Sequence, residues 1–198
     1  DGYYKITEYV NGLFDMESND IRGLNYTYNA DGYIWKYLGV DKTTARAASE
    51  NDQNYIIYRL ADVLLMKAEA LIMQGHNEDA ADLIDRTRER AGLGETTLSD
   101  DRMVMLETLL VERQKEFFGE GKNWFDLLRI GLRSEQLNDT QYKTLFVEQA
   151  LKAVGASRQS LGRATLANSG SWYLPYSEDE LSKNPLLEQS DYYQSISN

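Results

Sequence analysis

Apolar residues recur at three- and four-residue steps only in the middle of this chain. Leu60, Leu64, Ala68, Leu71 and Ile72 mark one face of a helix predicted from about Asn54 to Gln74. Gly75 supplies a left-handed stop. Asn77, followed by Glu78 and Asp79, is placed to cap a second helix that carries Ala80, Leu83, Ile84 and Thr87 inward and ends before Gly92. A connection this short makes the two helices antiparallel. A third helix is expected from Ser99 as cap, with an inward stripe of Met103, Leu106, Leu110, Arg113 and Phe117. Gly119 and Gly121 interrupt it. A shorter helix from Asn123 to Arg129, closed by Gly131, and another over Asp139–Val154 complete the helical part.

Elsewhere the pattern changes. Residues 1–54 carry no sustained helical period, but aromatics alternate around Asp31-Gly32, a hairpin signal. Short extended segments are expected at Asn25–Asn29 and Tyr33–Leu38, and Asp41–Asn54 reads as loop. From Trp172 to Asn198 the chain holds both prolines, Pro175 and Pro185, and reads as irregular. The predicted fold is mainly α: tetratricopeptide-like helical hairpins with long irregular loops and a minor β-hairpin. Three regions follow: 1–54, irregular loop and β-hairpin, the part that could face a ligand; 55–131, two helical hairpins; 132–198, an extra helix and a segment packing on the helices.

The hairpins fit a repeat of about 34 residues with Gly75 at the turn, small Ala68 and Ala80 at the close approach, and Leu64, Leu71 and Ile84 in the flanking grooves. A weaker register places Gly121 at the turn. Two units are short of the roughly three a solenoid needs. Either further hairpins lie outside the chain or the loops cap the array.

Composition excludes several functions. With 42% hydrophobic and 27% charged residues the chain is an ordinary globular one, and it has no apolar run long enough to span a bilayer. A net charge of −11 argues against nucleic acid and against docking on anionic lipid. The absence of Cys removes thiol chemistry and Cys-based zinc sites. His76 is the only histidine and falls in a polar turn, so no metal site is expected, and no nucleotide or dinucleotide loop calls for a cofactor. The N-terminus lacks a signal peptide and an initiator Met, so the chain reads as a processed product or an excised part of something longer.

Glu112, Arg113, Glu116, Asp126 and Arg129 gather around Trp124. Arg113 lies on the apolar stripe, so it needs a carboxylate, and Asp126 and Glu116 are within reach across the turn. Paired carboxylates could perform glycoside hydrolysis. The alternation of signs instead favours an interior ion network of Arg113, Glu116, Trp124, Asp126 and Arg129 joining the third and fourth helices. No catalytic residue is assigned.

Three stretches in order carry a family resemblance. YRLADVLLMKAEAL (Tyr58–Leu71), ERQKEFFGEGKNWFDLLRIG (Glu112–Gly131) and WYLPYSEDELSKNPLLEQSDYY (Trp172–Tyr193) resemble the motifs of the C-terminal half of the SusD/RagB family of outer-membrane lipoproteins. Lys122-Asn123 before the Trp and Tyr176 in the tail depart from the usual pattern. The resemblance implies one SusD-like domain whose N-terminal part, with its lipid-anchor cysteine, lies upstream. It implies non-catalytic binding of an oligosaccharide or other nutrient at the surface of the outer membrane, for delivery to a TonB-dependent, SusC-like transporter. Membrane attachment would come only through that anchor.

The matched motifs belong to the scaffold and bring no ligand residues with them. Aromatic rings that could carry sugar faces are Tyr26, Tyr28, Tyr33, Trp35 and Tyr37 in the irregular stretch, beside Asn25, Asn29 and Asp31. Trp124 and Trp172 are expected in the core. The alternative function is a tetratricopeptide-type protein–protein adaptor, whose partner would meet the helical faces near Lys67 and Arg86.

Overall fold

A computed structural model of the chain describes residues 5–17, 19–50 and 53–196; the opening residues of the 1–54 region lie outside that set. The chain divides into two compact units, Asp1–Leu145 and Phe146–Asn198. The expected divisions at 54 and 131 fall inside the first unit.

The helical hairpins form the body of the first unit. α1 spans Glu8–Asp15, α2 Leu60–Gln74, α3 Asn77–Arg90, α4 Arg102–Glu116 and α5 Asn123–Leu137. Helices α2, α3 and α4 pack on one another, and α5 packs on α4. The α2–α3 connection is as tight as predicted. Gly75 adopts φ 83°, and the backbone N–H groups of Gly75 and His76 return to Ile72 and Leu71. Ala68, Ala80 and Ala81 let the backbones approach, while Leu65, Ile72 and Ile84 fill the grooves in full burial. Each of those large side chains stabilises the fold by roughly 1.5–3 kcal/mol.

Several boundaries differ from expectation. The first long helix starts at Leu60, because Arg59 is extended at φ −148°. Leu60 is 66% exposed, and the buried stripe of α2 is Asp62, Leu65, Ala68, Glu69 and Ile72. Asp101, not Ser99, caps α4 by accepting from the Met103 N–H. The α4 core carries Met105 and Leu109 beside Leu106 and Leu110, with Met103 only half-buried. His76 occupies the N-cap of α3, and Asn77 instead donates to the Ser99 carbonyl at 2.8 Å. Gly131 does not close α5; it is buried within the helix, which continues to a left-handed Asn138.

The front stretch holds a helix where none was expected. In α1, Val10, Leu13 and Phe14 share one buried face, and Phe14 meets Tyr28 and Phe118. Eight residues are too few for their period to stand out against loop. The Asp31-Gly32 turn is present. Asn29 accepts from the Gly32 N–H, the Asn29 N–H bonds to the Tyr33 carbonyl, and Trp35 N–H bonds to Thr27. The hairpin consists of isolated bridges such as Tyr28 with Ile34, with no continuous strand among the described residues.

α6, Thr140–Leu151, runs across the division between the units. The second unit then holds α7, Ala156–Leu166, and two short helices, α8 at Glu178–Lys183 and α9 at Asp191–Ile196, within the tail expected to be irregular. Its centre is Trp172, 4.3 Å from the Phe146 ring centroid, with the indole N–H donating to Leu166. Among the described residues no helix is long and apolar enough to cross a membrane.

Candidate functional site

Two ion clusters meet around Phe117. In the first, Arg113 donates to both Asp126 oxygens at 2.8 Å and to Asp62 at 3.3 Å. Lys122 also reaches Asp62. Arg129 bridges Asp126 and Glu69, and Arg133 donates to Glu69 at 2.8 Å. These contacts tie α2, α4 and α5 together through charges that are almost wholly buried on the α4 side. Arg113, Asp126 and Arg129 are therefore in contact.

Glu116 is not with them. It belongs to the second cluster, where it accepts from Arg22, Arg59 and Arg90. Glu120 accepts from Lys36 and Arg59. Arg22 also holds Glu112 at 2.6 Å and Asp20 at 2.8 Å. The ring of Phe117 separates the clusters, with the guanidinium carbons of Arg59 and Arg113 at 4.7 and 4.8 Å from its centroid. This second cluster explains the late start of α2. Arg59 is taken by Glu116 and Glu120, the Tyr55 hydroxyl by the Glu120 carbonyl, and Lys122 holds the Ile57 carbonyl. The stretch before α2 is held extended over the charges.

The carboxylates differ in their balance. Burial pushes Glu116 up, but Arg59, with Arg90 and Arg22, outweighs it and holds the group below the usual carboxylate value. Burial pushes Glu112 up and Arg22 does not overcome it. Burial likewise pushes Glu69 up, and Arg129 and Arg133 reverse that to a net lowering. Each of these carboxylates is bound to a cation, so none stands open as an acid–base pair.

Trp124 is 40% exposed, which corrects its expected place in the core. It stands in the first turn of α5. Trp172 is buried as expected.

The five candidate aromatics do not form one platform. Tyr28 and Trp35 are buried, the latter 8% exposed with its indole N–H donating to the Asp41 carbonyl at 2.7 Å. Tyr33 carries the Lys5 ammonium over its ring, and Tyr37 stacks on Tyr55 at 6.1 Å. Tyr26 is the open one, 43% exposed, with Lys42 over the ring. It lines a cavity of about 380 Å³ together with Thr27, Lys36, Arg59, Arg90 and Glu116. A second cavity of about 370 Å³ shares Arg59 and Arg90 and adds Leu64 and Arg86. Sequence reasoning missed Arg59, Glu120, Asp62 and Glu69. For the last two a signal existed: carboxylates seven apart, in phase with Leu65 and Ile72, imply buried partners. Among the described residues no group of His, Asp or Glu is arranged to hold a metal ion.

Stacked helical hairpins locked by interior ion pairs define a tetratricopeptide-like helical fold. The chain belongs to the SusD family, whose profile matches residues 3–193. SusD-like protein P38 of Formosa agariphila is 37% identical over 89 residues, 41% of this chain and 18% of the relative. SusD-like protein P25 of the same organism is 29% identical over 171 residues, 85% of this chain and 28% of the relative. The chain thus spans less than a third of the length of these relatives. A SusD superfamily protein from Bacteroides fragilis shares the fold at TM-score 0.64 and 23% identity, covering 95% of this chain and 40% of that one. One from Bacteroides vulgatus does so at 0.54 and 22%, covering 94% and 44%.

Proposed function

We propose that this chain is part of a non-catalytic binding protein of the outer-membrane surface, which captures an oligosaccharide or similar nutrient and passes it to a TonB-dependent, SusC-like transporter. The observation that carries this reading is the family match over residues 3–193. The interior chemistry is consistent with it. The buried carboxylates are neutralised by arginine and lysine, so they hold hairpins in register and leave recognition to exposed side chains around them. In the loop region the reading favours Tyr26, which is 43% exposed and lines a cavity, with Lys42 over one face of its ring. Anchoring would come from a lipid on a part of the protein outside this chain.

Calorimetry against a panel of oligosaccharides, followed by chromatography of the sugar, tests the reading. Binding with the sugar recovered intact is expected. Cleavage that disappears in a folded Glu116→Gln variant would replace it with an enzyme. Co-purification of a transporter with the full-length protein from its native membrane tests the partner.

A further inference from the structure

The chain carries a net charge of −11, yet six of its basic side chains line the two cavities that share Arg59 and Arg90. Along both walls basic groups outnumber carboxylates. The deeper ones are spent on partners: Lys115 on Glu17, Arg22 on Asp20, Glu112 and Glu116. The outer ones are not. Arg90 has a side chain 62% exposed and holds Glu116 through one nitrogen, leaving the rest of its donor fork open. Arg86 lies four residues earlier on α3, on the same face, is exposed, and makes no ion pair or hydrogen bond among the described residues. The two arginines stand one helical turn apart, and of the two only Arg90 has a carboxylate partner, Glu116, among the described residues. Each guanidinium fork can donate two parallel hydrogen bonds to a pair of oxygens on a planar carboxylate or a tetrahedral sulfate.

We infer that the paired cavities are a binding subsite for an acidic glycan, a sugar chain bearing carboxylate or sulfate groups, with Arg86 and Arg90 binding the anionic substituent and Tyr26 facing a sugar ring. This deepens, and rests on, the glycan-binding reading above. Arg59 lines both cavities and is already held by Glu116 and Glu120, so this part of the lining needs no ordering when a ligand arrives. A neutral sugar would leave the open arginine donors without an acceptor; an anionic one supplies it. The net negative charge of the chain also discourages anions from binding elsewhere on it.

Calorimetry with the purified chain decides the point. The probes are oligogalacturonides, oligosaccharides of a sulfated galactan, neutral xylo-oligosaccharides of equal length, and polyglutamate of equal charge. One or both acidic glycans should bind, the neutral one at least about tenfold more weakly, with affinity falling as salt rises. Which acidic glycan binds distinguishes carboxylate from sulfate. Arg86→Gln, at a residue without structural partners, should weaken acidic-glycan binding about tenfold and leave the circular dichroism spectrum unchanged. Equal binding of neutral glycan, or an Arg86→Gln variant with unchanged affinity, overturns the inference and leaves the glycan-binding reading standing. Equal binding of polyglutamate overturns it in favour of an acidic peptide. If no oligosaccharide of any charge binds, both readings fall.

Discussion

Arg113 grips Asp126 through two parallel hydrogen bonds of 2.8 Å while lying on the apolar stripe of α4, between Leu110 and Phe117. The pair fixes the angle at which α5 leaves the Gly119–Gly121 turn. Removing one partner leaves the other charge buried. Asp126→Asn should cost about 3 kcal/mol in urea unfolding, and Arg113→Leu with Asp126→Leu together should cost less than the sum of the two single changes. Additive losses would mean that the two side chains do not act as a pair.

Glu112 and Glu116 make a contrasting couple. Both are buried and both touch Arg22, but only Glu116 is held below the ordinary carboxylate value. Burial disfavours ionised Glu112, so Glu112→Gln should cost less stability at neutral pH than the same change at Glu116. Glu116→Gln, which deprives Arg59 and Arg90 of their shared anion, should cost about 3 kcal/mol. Comparable unfolding midpoints for the two variants would contradict this ordering.

Glu69 makes the stability of the first unit depend on acid. Its folded value lies below the ordinary 4.5, because Arg129 and Arg133 overcome the effect of burial. A lowered carboxylate contributes stability above its unfolded value, and that contribution is lost as pH falls through the folded one. Unfolding midpoints measured from about pH 6 down to pH 3 should therefore fall more steeply for the parent than for Glu69→Gln, with the difference confined to pH below about 4.5.

The three tryptophans should respond differently to a soluble quencher. Trp124, 40% exposed, is expected to be quenched by acrylamide; Trp35 and Trp172 are shielded. Variants retaining one tryptophan each make the comparison direct. Strong quenching of the Trp35-only variant would show an open ring there and restore it as a candidate for ligand contact.

Gly39 is a packing requirement of the loop region. A Cβ at this position would overlap the Trp35 indole, including the nitrogen that donates to Asp41. Because the ring is rigid and buried, Gly39→Ala should cost roughly 1–3 kcal/mol and shift the Trp35 emission. An unchanged spectrum would show that the loop repacks without strain.

The helical hairpins were legible in the sequence because their causes are local. The turn at Gly75 needs a left-handed residue, the close approach needs Ala68 and Ala80, and the three- and four-residue steps show directly which elements are helices. The burial of Arg113 was legible for the same reason, since a charge in phase with Leu106 and Leu110 must be paired. The family motifs were legible as strings. Only the tertiary structure decided where α2 begins, because Arg59 is held extended by Glu116 and Glu120, more than fifty residues away. It also decided that Glu116 parts from Arg113, that Asp62 and Glu69 are interior, and that Trp35 is covered while Tyr26 and Trp124 are open. Periodicity reports which face a residue occupies; what that face meets depends on segments distant in the chain, and for a charged or aromatic side chain that meeting determines burial.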